Sequence, residues 1–186
     1  MAVRDPVRRK LTLEDFLLFP EDGQIHEIID GEHYVASAPF NVHQRLLGRL
    51  TVRIGSFVEQ HGLGELFPAP AGLVLSEHDI FEPDLLFVSA ARSEIVTDRY
   101  TEGSPDLVVE ILSRSTQSRD EKLKFARYER FGVAEYWIVD PAGTIRVYRL
   151  ENGRFRLAAD LSAEAGDELS TPLLPGLAIP LRDLFR

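Results

Sequence analysis

The chain has 186 residues, 44% of them hydrophobic and 27% charged, which suits one soluble domain with a core of its own. It contains no cysteine, which excludes disulfides and thiolate metal sites and fits a reducing cytoplasm. Its formal net charge of -9 argues against a constitutive, high-affinity nucleic-acid binder, because an acidic surface repels a polyanion, yet it leaves room for an enzyme with a local basic surface and a metal.

In chain order, Leu13 to Phe19 reads as a short helix with Thr12 as its N-cap and Pro20 beyond its end. Ile25 to Val35 reads as a hairpin around Asp30-Gly31, the pair that suits a type I′ turn. Asn41 to Gln60 is the clearest helix: Leu46, Leu47, Leu50, Ile54, Phe57 and Val58 share one apolar face, with Asn41 the expected N-cap and Gly62 the expected stop. Beside that face run Arg45, Arg49 and Arg53, a candidate contact surface for nucleic acid whose plainer reading is a solvated helix face. Short strands are expected at Gly72 to Leu75, Leu85 to Val88 and Leu107 to Leu112. A helix from Asp120 to Phe131, a strand from Glu135 to Val139, and a hairpin of Ile145 to Leu150 with Arg154 to Leu157 around Asn152-Gly153 follow. The pattern predicts an α/β (α+β) fold, a mixed β-sheet flanked by helices with N-terminal and C-terminal β-hairpins, in one domain over residues 1–186, with residues 1–10 the candidate disordered stretch. No run approaches the roughly 18 apolar residues of a membrane span. The charged start of the chain (Arg4, Asp5, Arg8, Arg9, Lys10) leads into a stretch broken by Glu14 and Asp15, so no membrane association and no signal peptide are expected, and a cytoplasmic location is.

Glu110 is the most informative residue. It stands in an otherwise aliphatic run of the kind that forms strands covered on both faces. A carboxylate there loses hydration at a cost that a metal ion or a lysine would offset; the plainer reading is a Glu at the strand's exposed end, paired with an arginine. Asp84 opens another apolar strand directly after Pro83 and alone would read as a turn aspartate. If the two strands are neighbours, both carboxylates converge at one sheet edge, the donor set that hard divalent cations favour. Asp120, Lys124 and Tyr128 share one face of the following helix. An exposed Asp–Lys pair would contribute only about 0.3–0.5 kcal/mol. Turned toward the carboxylates, the lysine would instead stabilise charge developing on a phosphate. Asp106 also follows a proline but lies further down the strand of Glu110, and His43 is a weaker candidate near a helix start.

Taken together, Gly103-Ser104-Pro105-Asp106-Leu107-Val108-Val109-Glu110-Ile111-Leu112-Ser113, Ser115-Thr116, Asp120, Lys124, Tyr128, Gly132-Val133 and Glu135 to Pro141 resemble the central signature of the Uma2 endonuclease family. Glu27 to Glu32, His43-Gln44, Pro83-Asp84 and the Leu-Pro-Gly-Leu tail fit as well, so the resemblance runs from about Leu11 to the end. It implies a restriction endonuclease-like core of the PD-(D/E)XK superfamily, with Asp84 and Glu110 as acids that hold Mg²⁺ or Mn²⁺. The usual lysine two residues after the second acid is replaced by Leu112, and the resemblance moves that role to Lys124, with Glu27 an additional carboxylate. The catalytic set is thus Asp84, Glu110, Lys124 and Glu27, and the metal ligands are Asp84 and Glu110. Arg114 departs from the usual proline, and Phe81-Glu82 stands where a basic residue is expected. The implied activity is metal-dependent hydrolysis of phosphodiester bonds, in DNA before RNA, with weak nucleic-acid binding and a homodimer as a candidate assembly. Two other classes stay open. One is a non-catalytic binding or assembly module that keeps the fold, and the other is a carboxylate hydrolase acting on sugars.

Overall fold

The structure, a computed structural model, describes residues 9–113 and 116–186. The expectations for residues 1–8, and those placed on Arg114 and Ser115, lie outside the described residues.

The first helix, α1 (Leu13–Phe16), is closed by a capping box in which the Thr12 hydroxyl accepts from the Asp15 N–H and the Asp15 carboxylate accepts from the Thr12 N–H. Strands β1 (Ile25–Ile29) and β2 (Glu32–Ala36) form the expected hairpin. Asp30 and Gly31 both have positive φ there, at 53° and 81°. At Gly31 a Cβ would lie 2.5 Å from the Lys10 Cβ, so glycine also admits the incoming chain. The long helix α2 (Asn41–His61) stops at Gly62 in the left-handed region. Its N-cap is Phe40 rather than the expected Asn41, which is already helical, and no side chain caps it. Strands β3 (Gly64–Pro68), β4 (Leu73–Ser76), β5 (Asp79–Phe81), β6 (Leu85–Ser89) and β7 (Thr101–Glu102) follow, with a 3₁₀ turn at Ala90–Ile95. Strands β3, β5 and β7 are not among the expected ones, because their short stretches lack a clear period of two. Next come β8 (Leu107–Ile111), a π-helical turn at Arg119–Lys124 running into α3 (Phe125–Phe131), and β9 (Glu135–Asp140). The C-terminal hairpin is β10 (Thr144–Glu151) with β11 (Arg154–Ser162), longer than expected, followed by β12 (Glu168–Leu169), β13 (Ile179–Pro180) and α4 (Leu181–Phe185).

The strands divide over two principal sheets where the sequence suggested one. The larger has the order β11-β10-β9-β8-β6-β3 and the smaller β2-β1-β5-β4-β7. Within the larger sheet only β8 and β9 run parallel. A parallel pair needs a crossover, and the π turn with α3 supplies it. Alternation along the central strands sends Leu85, Val109, Trp137 and Val139 to one face, against α2 and the C-terminal tail. It sends Leu86, Val108, Tyr136 and Ile138 to the other, against α3 and the smaller sheet. Asp84 and Glu110 follow the same alternation onto this second face.

Candidate active site

The antiparallel register pairs Leu85 with Val109, which carries Asp84 to the position opposite Glu110 at one end of these two interior strands of the larger sheet. The two strands therefore bring to one place carboxylates that lie far apart in sequence. Glu27, on β1 of the smaller sheet, approaches from above, and the crossover helix brings Lys124 between them. Lys124 Nζ lies 2.7 Å from Glu27 Oε1 and 2.9 Å from Glu110 Oε1, with Asp120 Oδ1 at 3.6 Å. Tyr128, one turn further on, donates its hydroxyl to Glu110 Oε1 at 2.9 Å. All four sequence candidates, Asp84, Glu110, Lys124 and Glu27, line a single cavity of about 400 Å³, together with His43, Asp120, Ser113 and Phe40.

The π turn explains how one helix supplies two cations to the same carboxylate. Arg119 donates to Glu27 Oε2 at 3.1 Å, while Lys124 holds the other oxygen. Residues i and i+5 fall on different faces of an α-helix, and the wider i→i+5 turn brings them round to the same side. The spacing of Asp120, Lys124 and Tyr128 was visible in the sequence. The part of Arg119 was not, because regular helical periodicity points it elsewhere.

His43 Nε2 lies 3.1 Å from Asp84 Oδ2, and the Ile111 N–H donates to that same oxygen at 2.7 Å. The residue that was the weaker sequence candidate thus fixes one of the acids, from the first turn of α2. Asp106 sits at the far end of β8, accepting from the Ser89 N–H and Arg92. The arginine stripe has largely another use: Arg49 donates to the main-chain carbonyls of Leu184 and Arg186, and Arg53 pairs with Asp183, so α2 holds the C-terminal helix with them. Arg45 remains exposed.

Glu27, Glu110, Asp120 and Lys124 are all at least 96% buried. Burial raises the pKa of Glu110 well above the ordinary carboxylate value; Lys124 opposes this, but Asp120, Asp84 and Glu27 reinforce it. Asp120 is raised for the same first reason. For Lys124 burial works against the charged form, but Glu110, Glu27 and Asp120 together outweigh it and hold the ammonium protonated. The two partners of this ion pair therefore shift in the same direction, because three carboxylates crowd around one lysine. The cluster has an excess of negative charge that Lys124 alone does not balance.

That excess is what a divalent cation would relieve. The protein's own hydrogen bonds fall on Oδ2 of Asp84 and Oε1 of Glu110, leaving Oδ1 and Oε2 without a bond among the described residues. Asp120 Oδ1 is buried with no hydrogen-bond partner. These are hard oxygen donors bordering one cavity, which fits Mg²⁺ or Mn²⁺ better than a soft metal. Among the described residues no three His, Asp or Glu side chains are drawn together at ligating distance, and Lys124 fills the centre of the acidic group. Among the described residues, too, no helix is long and apolar enough to cross a membrane.

Comparison with known proteins agrees with this architecture. A crystal structure described as that of "a putative nuclease belonging to DUF820 from Anabaena variabilis ATCC 29413" superimposes with a TM-score of 0.78, at 22% identity, over 94% of this chain and 97% of the other. At that identity the likeness establishes the fold. The comparison with curated proteins gave no match. Residues 13–182 match the family Uma2, described as "Putative restriction endonuclease". Since that match spans nearly the whole length, the chain belongs to the Uma2 family.

Proposed function

We propose that this chain is a metal-dependent nuclease that hydrolyses phosphodiester bonds of DNA. The observation that carries the reading is the buried Lys124, held between Glu27 and Glu110 on the floor of an open cavity that Asp84 also lines. A scaffold has no need to bury so many carboxylates around one ammonium, since apolar packing would be at least as stable. The family description supports the same chemistry.

Asp84 and Glu110 would hold Mg²⁺ or Mn²⁺, and such an ion supplies a bound water of lowered pKa together with charge neutralisation at the phosphate. The protein's own groups have distinct tasks. His43 and the Ile111 N–H fix the rotation of the Asp84 carboxylate and leave its other oxygen facing the cavity. Tyr128 and Lys124 do the same for Glu110. Lys124 has two of its three N–H donors engaged at hydrogen-bond distance, and the third is available to an oxygen of the phosphate as charge develops there. Glu27, gripped by Arg119, positions Lys124. The acid pair and the lysine thus divide the work between activating water and receiving charge.

The acidic net charge of -9 favours a second reading, a non-catalytic binding module. One experiment separates them. Purified protein is incubated with plasmid and with single-stranded DNA, with Mg²⁺ or Mn²⁺ and with chelator. Cleavage by the wild type, abolished by chelator and by Asp84→Asn, supports the nuclease. Absence of cleavage together with absence of metal-induced thermal stabilisation supports the binding module. Sedimentation of the same sample tests the homodimer.

A further inference from the structure

A second cavity, of about 620 Å³, adjoins the first and shares Phe40, His43 and Ser113 with it. Its other walls include Val42, Gln117, Asp140, Pro141 and Ala142. Phe40 stands at the junction. Its side chain is 77% exposed, at the foot of a helix whose apolar face is otherwise well buried. Val42 beside it is 44% exposed. A large aromatic left in water next to the acidic group is not required by the core, which α2 completes with Leu46, Leu47, Leu50, Ile54 and Val58.

The chemistry of this groove selects its occupant. Among the described residues no lysine or arginine lines it. Apolar surface from Phe40, Val42, Pro141 and Ala142 suits the flat face of an uncharged ring, and Gln117 and Asp140 offer hydrogen-bonding groups at its edge. Because the groove shares Phe40, His43 and Ser113 with the carboxylate cavity, a ring seated there would belong to the molecule whose phosphate lies over Asp84 and Glu110. The arginines that would otherwise follow a duplex backbone along α2, Arg49 and Arg53, are bonded to the C-terminal segment.

We propose that Phe40 and this groove form a base-stacking subsite that takes an unpaired nucleobase next to the phosphate under attack, so that the substrate class is single-stranded or frayed nucleic acid rather than continuous duplex. The assignment rests on the nuclease reading given above. Stacking on an aromatic side chain tolerates any base, and it holds a strand where cationic attraction is scarce. Affinity supplied this way falls only shallowly with salt, in contrast to binding through many phosphate contacts.

Phe40→Trp turns the subsite into its own reporter. The chain has one tryptophan, Trp137, and it is fully buried, so a new indole at position 40 gives the signal that responds to ligand. The full-length variant is titrated in chelator, where no cleavage occurs, with oligodeoxythymidylate, with oligouridylate and with a blunt duplex. The expected result is saturable quenching by single strands, with little by the duplex; the two single strands together show whether the sugar is discriminated. In a parallel titration of labelled single strand, Phe40→Ala binds roughly tenfold or more weakly while Phe40→Tyr keeps its affinity, at unchanged melting temperature. Equal quenching by duplex and single strand overturns the proposal, as does full affinity in Phe40→Ala. A concentration-dependent dimer that Phe40→Ala abolishes also overturns it, by assigning the face to a second copy of the chain. Cleavage of DNA with no quenching defeats the subsite but leaves the nuclease, whereas quenching without cleavage under any metal defeats the nuclease and leaves a single-strand binder.

Discussion

The two faces of the larger sheet are built from the same strands and do opposite things. One buries Leu85, Val109, Trp137 and Val139 under α2 and the C-terminal tail. The other continues Leu86, Val108, Tyr136 and Ile138 into a group of buried carboxylates closed by one lysine. Hydrophobic burial stabilises the first face residue by residue. The second face is a balance, in which the field of the acids keeps Lys124 charged and Lys124 makes the acids tolerable. The apolar face tolerates loss of atoms in proportion to their volume, while the charged face responds to which partner is lost.

The largest effect is expected from Lys124→Ala. It leaves Glu110 buried without its cation and Glu27 with Arg119 alone, which costs about 3–5 kcal/mol in chelator. Mg²⁺ or Mn²⁺ should then raise its melting temperature more than that of the wild type, because the ion replaces the missing charge, while hydrolysis stays lost. Thermal melts with and without metal measure both. If the variant melts as the wild type does in chelator, the charge balance described here is wrong.

Leu50→Ala on the apolar face should cost about 2–5 kcal/mol, the usual range for a fully buried leucine. The contrast with the charged face lies in the rescue: no divalent ion should restore it. A metal-dependent recovery of Leu50→Ala would mean that the two faces are not separate.

Glu110→Gln sharpens the comparison because it removes charge without removing shape. In chelator the variant should be as stable as the wild type or more so, since a carboxylate raised by burial is lost while Lys124 keeps Glu27. It should gain much less from Mg²⁺ or Mn²⁺ than the wild type does. The same group sets a pH dependence. A carboxylate whose folded pKa lies above its unfolded value favours folding when protonated. Its penalty is therefore absent below the ordinary carboxylate range and grows as pH rises through the raised value. Stability of the metal-free wild type should decline over that interval, and Glu110→Gln should flatten the decline. A profile identical in both proteins would remove Glu110 as its source.

The smallest effects are expected from the arginines of α2. Arg49→Ala loses two hydrogen bonds to the last helix and Arg53→Ala one partly exposed ion pair, so each should cost on the order of 1 kcal/mol. Arg45→Ala should cost nothing measurable. Affinity for single-stranded DNA should change little in any of the three. A large loss in Arg45→Ala would restore the stripe as a nucleic-acid contact.

Local rules determined much of this protein from its sequence. The capping box at Thr12, the Asp30-Gly31 and Asn152-Gly153 turns, the apolar stripe of α2 and the aliphatic runs of β6 and β8 all depend on near neighbours, and each stands where those neighbours put it. The anomaly of a glutamate in an aliphatic run was equally plain, because burial of a charge is costly wherever the strand goes. Tertiary structure decided the rest. Only the register of β6 on β8 sets Asp84 opposite Glu110. Only the packing of the smaller sheet over the larger brings Glu27 to Lys124 across 97 residues of chain. Arg119 joins that group through a π turn, which propensity does not foretell because it is fixed by what the turn's side chains meet. The difference is one of range: caps, turns and amphipathic faces are settled within a few residues, while a charged site is settled by whichever distant groups the fold places beside it.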